Sequence, residues 1–336
     1  MITLDAARGA KGTTVAEAFE LLHPVVFALL SPGTIRGYTV AWRRRVLPKF
    51  GSCEIGDITT FHVEQAFAAW DGSHSTKRDA VQMLSALCRA AIKARILPVN
   101  PCVGVEHRKQ QPPDLTGRAL SIAEVERLLG LLPRDGVYRR FVLALLYTGC
   151  RLGEVAGLRV SDVDLEGLTI RVQRSVSPGE HGEVVVGPTK GRRVRDVPIP
   201  EQFVPDLLAA MDGKGEHDYL FTGPRGGFLS SGNLTRGLNW HAIRDQVKSF
   251  PRGERPLHWH DLRHTAATNL FLANAPATDV QAIMGHAHLT TTQIYADTRK
   301  DSARRGGAAL SAYYAQSNGH IRGGDESAKL AADQGI

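Results

Sequence analysis

Thr148-Gly149-Cys150-Arg151-Leu152-Gly153-Glu154 sets an arginine directly after a Thr-Gly turn, at the head of a helical run toward Leu158. A guanidinium there adds its charge to the unsatisfied N–H donors of a helix start, a good place for phosphate. Three further patches follow it along the chain. Lys190 lies in the basic hairpin Pro188-Thr189-Lys190-Gly191-Arg192-Arg193, between two strand-like segments. His258-Trp259-His260-Asp261-Leu262-Arg263-His264-Thr265 puts His260 and Arg263 on one helix face. His286, in Met284-Gly285-His286, stands nine residues before Tyr295 in Thr290-Thr291-Thr292-Gln293-Ile294-Tyr295. The set suits phosphate chemistry: guanidinium groups grip phosphate oxygens through paired hydrogen bonds, and a tyrosine offers an oxygen nucleophile. A phenol ordinarily titrates at about 10, so such an attack at neutral pH needs a cluster of cations nearby.

Outward from these patches, periodicity divides the chain. Residues 13–105 read as a bundle of four or five helices. Thr13 or Thr14 caps a first helix with Val15, Phe19 and Leu22, which Pro24 interrupts. A second runs from Thr34 to Leu47, with Ile35, Tyr38, Trp42 and Val46 on its apolar stripe and Arg43, Arg44 and Arg45 around it. A third spans Thr60 to Trp70. A fourth, from Ser75 to Ile96, is stopped by Pro98. Residues 106–118 are polar and proline-bearing, a linker whose basic residues could follow a phosphate backbone. The second domain, 119–315, opens on the capping box Ser121-x-x-Glu124 and continues with a helix ending at Thr148-Gly149. Strand patterns follow at Leu168–Val172, Val184–Val186 and Val194–Ile199, then helices again from Gly232. Residues 1–12 form a short lead, and the polar, glycine-rich 316–336 reads as a disordered tail. The fold class expected is mostly α, with a small antiparallel β-sheet in the second domain.

A length of 336 residues suits two domains, and no apolar run approaches a membrane span. No secretory signal opens the chain. The four cysteines show no paired spacing and read as reduced, buried thiols of a cytoplasmic protein. Net charge is +7, and residues 1–115 and 116–315 each carry about +4, so both halves favour a polyanionic partner.

The four patches, in this order and spacing, closely resemble the tyrosine recombinase (phage integrase) family, and the resemblance runs over residues 13 to about 315. It implies a core-binding domain, then a catalytic domain, and a site-specific recombinase or integrase of mobile-element type. Tyr295 would be the nucleophile, leaving a 3′-phosphotyrosine link. Arg151 and Arg263 would grip the phosphate, His286 would donate to it, and His260 would take the tyrosine proton or donate to a phosphate oxygen. By the same resemblance Lys190 would be the general acid and Glu154 would hold active-site groups in place. Arg43, Arg44, Arg45, Arg192 and Arg193 are candidate contacts to the DNA backbone, and Arg195 no more than that. His260 and His264 sit four apart, but no glutamate or third ligand completes a zinc helix, so His264 reads as structural. The chemistry would need no metal, ATP or other cofactor. The partners implied are a specific double-stranded DNA site, further copies of the chain (a tetramer on two DNA sites) and an accessory DNA-bending protein, with no membrane. Residues 300–315, with Leu310, Tyr313 and Tyr314, would be exchanged between protomers. A further arm-binding module would be absent ahead of Thr13. Rival readings are a chromosome-dimer-resolving recombinase, a type IB topoisomerase and a non-catalytic DNA-binding relative.

Overall fold

The computed structural model describes residues 12–28, 30–105, 117–179, 183–189, 191, 193–250 and 255–286. Tyr295, Lys190, Arg192, residues 106–116, the exchanged segment 300–315 and the tail lie outside the described residues. The fold is mostly helical with small antiparallel sheets.

The first helices are α1 (Val15–Phe27), α2 (Pro32–Ala41), a π-helical turn at Trp42–Val46, α3 (Leu47–Phe50), α4 (Thr60–Ala69) and α5 (His74–Lys93). Thr14 caps α1 in a reciprocal box with Glu17. Pro24 does not interrupt this helix, as its sequence suggests, but lies within it. One missing N–H near the last turn is a loss the packing of Phe19 and Leu22 outweighs. The single helix expected over Thr34–Leu47 is instead split. Pro48 has no N–H and crowds the carbonyl four residues back, and the Leu47 N–H reaches Trp42 O in a widened π turn. That turn keeps both Trp42 and Val46 buried, and Trp42 stacks on Phe19 with ring centroids 3.9 Å apart. Cys88 is buried, but Cys53, expected inside, is exposed, because it lies in the turn after α3.

After the undescribed segment come α6 (Ile122–Leu131), α7 (Val137–Thr148) and α8 (Leu152–Ala156), then β1 (Val163–Asp164), β2 (Thr169–Val172), β3 (Arg174–Pro178), β4 (Val184–Pro188) and β5 (Arg195–Pro198). The further helices among the described residues are α9 (Val204–Met211), α10 (Ser231–Gly237), α11 (Trp240–Val247), α12 (Trp259–Leu272) and α13 (Ala277–Met284). Among the described residues two sheets form, β1-β2-β5 and β3-β4, both antiparallel. The two strands on either side of Lys190 do not pair with each other, as a hairpin would require: β4 pairs with β3 and β5 with β2. β1, β3 and α9 have no counterpart in the periodicity reading.

Two main groups of buried apolar side chains result. One, from Val15 to Leu97, fills the first helices; the other, from Leu120 to Leu262, joins α6–α12 with the β1-β2-β5 sheet. A small third group, with Phe271, Val280 and Met284, seats α13 against α12. Arg118, counted with the linker by composition, is buried at 7% exposure. It donates to both oxygens of the fully buried Asp261 (2.6 and 3.4 Å) and to the Arg255 and Pro256 carbonyls, so it is no phosphate-following side chain.

Candidate active site

α7 ends as its sequence implies. The Thr148 hydroxyl donates to Ala144 O and accepts from the Cys150 N–H, and Gly149 takes the left-handed conformation (φ 64°) that turns the chain into α8. Arg151 is the N-cap of α8. The Glu154 carboxylate accepts from the Arg151 backbone N–H at 2.9 Å and from its Nη1 at 2.9 Å. Glu154 is fully buried. Burial pushes its carboxyl up, but hydrogen bonds and charge from Arg195, then from Arg151, outweigh that and hold it below the usual range. α8 can pack here because residue 153 is glycine: a Cβ would stand 2.3 Å from Val176 O of β3.

α12 starts with the Asp261 carboxylate accepting the His258 N–H at 2.7 Å. Arg263, one turn in, is 2% exposed and donates to Gly149 O at 2.7 Å and to Met284 O. Burial, then the charges of Arg151 and Arg195, lower its pKa to about 10. His286 follows Gly285, which ends α13 at φ 64°, and is 7% exposed. Burial and then Arg263, Arg151 and Arg195 bring its imidazole down to about 4. His260 is lowered to about 4 by burial of its ring, then by His264, Arg263 and Arg151. The residue stays open to water on one side.

The structure thus brings together Arg151, Glu154, His260, Arg263 and His286, from α8, α12 and the end of α13. Two clefts flank the cluster. One is lined by Cys150, Leu152, Ser231, His258, His260 and Arg263, the other by Arg193, Arg195, Thr278, Gln281, Gly285 and His286. Fixed guanidiniums beside neutral imidazoles can hold an anion and still take or donate a proton. Of the backbone candidates, Arg43, Arg44 and Arg193 are exposed. Arg45 turns inward and donates to Asp71 O at 2.7 Å. Near Lys190, the buried Thr189 donates its hydroxyl to Arg193 O at 2.7 Å.

Arg195, by sequence no more than a backbone contact, instead turns its side chain inward against Glu154 beside this cluster (Nη2–Oε2 2.7 Å). Alternation along β5 carried the signal, since Arg195 shares its face with the buried Val197 and Ile199.

A sequence model described as the phage integrase family matches residues 118–302. An integrase of Mycobacterium phage FRAT1 is 29% identical over 266 residues, covering 76% of each chain. The tyrosine recombinase XerA of Thermococcus kodakarensis is 28% identical over 283 residues, 82% of this chain and 88% of that one. The structure of a Tn1549 transposon integrase in complex with a circular intermediate DNA superposes with a TM-score of 0.70 at 21% identity, over 88% of this chain and 99% of that one.

Proposed function

The chain belongs to the phage integrase family, tyrosine recombinases that cut and rejoin DNA, and from that premise we propose a site-specific recombinase of integrase type working through a 3′-phosphotyrosine intermediate. The observation that carries this reading is the convergence of Arg151, Arg263, His260 and His286 on one cationic cluster. Tyr295 attacks the scissile phosphodiester: a bond forms between the phenol oxygen and phosphorus, and the bond to the 5′ oxygen breaks. His260, neutral at pH 7, takes the phenol proton, and Lys190 gives one to the leaving 5′ oxygen. Arg151, Arg263 and a His286 N–H hold the non-bridging oxygens as their charge grows. A 5′ hydroxyl from a partner duplex then reverses the attack. The ester keeps the bond energy, so neither ATP nor a metal enters the scheme.

Tyr295 lies nine positions beyond His286, a reach of about 30 Å when extended. The phenol can therefore serve its own cluster or that of an adjacent protomer. We place four copies on two double-stranded DNA sites, with residues 300–315 lent between neighbours. Residues 13–105 form the core-binding domain and 119–315 the catalytic one, a division supported by their separate apolar cores. Exposed Arg43, Arg44 and Arg193 follow the backbone. The match to XerA, a protein of a cellular organism, favours a second reading of the same chemistry, resolution of chromosome dimers.

The test traps covalent protein–DNA adducts on fragmented genomic DNA and sequences the attached ends. The expected result is one short recurring sequence with the full chain and no adduct with Tyr295→Phe; adducts that persist in that variant refute the assignment. Ends at the border of an inserted element favour the integrase, and ends at a chromosomal site lacking any insertion favour the second reading.

A further inference from the structure

An arginine on the inward face of a strand must replace the water it loses. Arg195 does so with all three of its nitrogens. Nη2 and Nη1 donate to the two carboxylate oxygens of Glu154 at 2.7 and 3.3 Å, and Nε donates to Ile283 O, in the last turn of α13, at 2.7 Å. Nη2 also faces Cys150 Sγ at 3.9 Å. The left-handed Gly285 lies flat on this side chain: a Cβ there would stand 3.1 Å from both Cδ and Nε of Arg195.

We propose that Arg195 is a positioning residue for strand cleavage, bracing Glu154, and through it Arg151, against the helix end that carries His286. The proposal rests on the recombinase reading of the site. Its physical content is a charge ratio and a span. Glu154 is one carboxylate shared by two guanidiniums, because Oε1 accepts from Arg151 Nη1 (2.9 Å) as well as from Arg195. The trio therefore keeps one positive charge in excess, and Arg151 keeps charge to offer a phosphate. Without Arg195, Glu154 would neutralise Arg151 one to one. The span is the bridge from α8 to α13. Arg263 makes a second tie to that helix end, from Gly149 O at the close of α7 to Met284 O, so two arginines anchor the end of α13. Their donors meet the orphan carbonyls of α13, where a cation is favoured.

The experiment uses the full chain and a nicked duplex carrying the sequence recovered from the trapped adducts, with single-turnover cleavage and duplex affinity measured together. Arg195→Gln should slow cleavage by about a hundredfold or more, with affinity changed less than about threefold. Arg195→Gln combined with Glu154→Gln should cleave at least about tenfold faster than Arg195→Gln alone, because the uncompensated carboxylate is gone. Arg195→Lys keeps the charge but cannot span both partners, and should lose about tenfold. Cleavage by Arg195→Gln or Arg195→Lys at the wild-type rate overturns the proposal. So does a double variant no faster than the single one, or an affinity that falls in step with the rate. If Arg195→Gln does not fold, Arg195→Lys decides: an unchanged rate overturns the brace, and a slower rate at unchanged affinity supports it. Failure of the wild-type chain to form adducts would sink the recombinase reading itself, whereas cleavage insensitive to residue 195 sinks only the brace.

Discussion

Arg263 owes its setting to two backbone carbonyls, Gly149 O and Met284 O, that its forked guanidinium spans. A lysine offers one point charge and cannot bind both carbonyls while presenting a flat face to phosphate. Arg263→Lys should therefore cut single-turnover cleavage by about a hundredfold or more while DNA affinity moves only a few-fold, because most backbone contacts remain. The buried histidines carry a second prediction. His264 and His286 are held to about 4 in the fold, burial being the first cause in each, against an ordinary value of about 6.5. Below about pH 6.5 the unfolded chain takes protons that the folded chain refuses. Their contribution is complete above that value and drains away as pH falls toward 4. The urea midpoint should be lower at pH 5 than at pH 7, and His264→Gln should flatten part of that slope; an unchanged midpoint would mean these rings are not held neutral.

Helix starts were the most legible elements because their signals are local. Ser121 and Glu124 form the reciprocal cap that their spacing implies, Glu124 N to Ser121 Oγ at 3.3 Å and Ser121 N to Glu124 Oε2 at 2.7 Å. Ser121→Ala should cost about 1 kcal/mol in urea unfolding. Elements defined by their neighbours were harder to read. α12 is buried around most of its circumference at its start, from Trp259 through Thr265 apart from His260, so it shows no single apolar stripe. β3, Arg174-Ser175-Val176-Ser177-Pro178, has one large apolar residue and is half-buried along most of its length. It exists because β4 pairs with it and α8 rests on it at Gly153. Gly153→Ala would drive a methyl into Val176 O and should destabilise the protein by about 1–3 kcal/mol, read by denaturant titration.

For the whole molecule, the buried pair of Arg118 with Asp261 ties the beginning of the second half to the helix bearing His260 and Arg263. The Thr265 hydroxyl repeats the tie, accepting from Leu120 N at 2.9 Å and donating to Asp261 O at 2.8 Å. Arg118→Ala would leave Asp261 buried with, among the described residues, only the more exposed Arg255 as ionic partner, and should cost about 3–5 kcal/mol. Because the apolar cores on either side of residues 106–116 are separate, a chain starting at Gly117 should unfold in one cooperative transition by circular dichroism. A broad, non-cooperative loss would mean that the second half depends on the first.

Helix caps, the mostly helical class and the patches that resemble a recombinase site are legible in the order of residues alone, since each depends on residues within a few positions of one another. Which cations are structural depends instead on how distant segments pack together. Arg195 and Arg118 look like surface charges in one dimension, yet each is held by a carboxylate far along the chain, Glu154 and Asp261. The same holds for the placing of β4 and β5 in different sheets, which depends on strand partners that no local pattern encodes. Burial and pairing are set by distant segments, and a guanidinium's role follows from them.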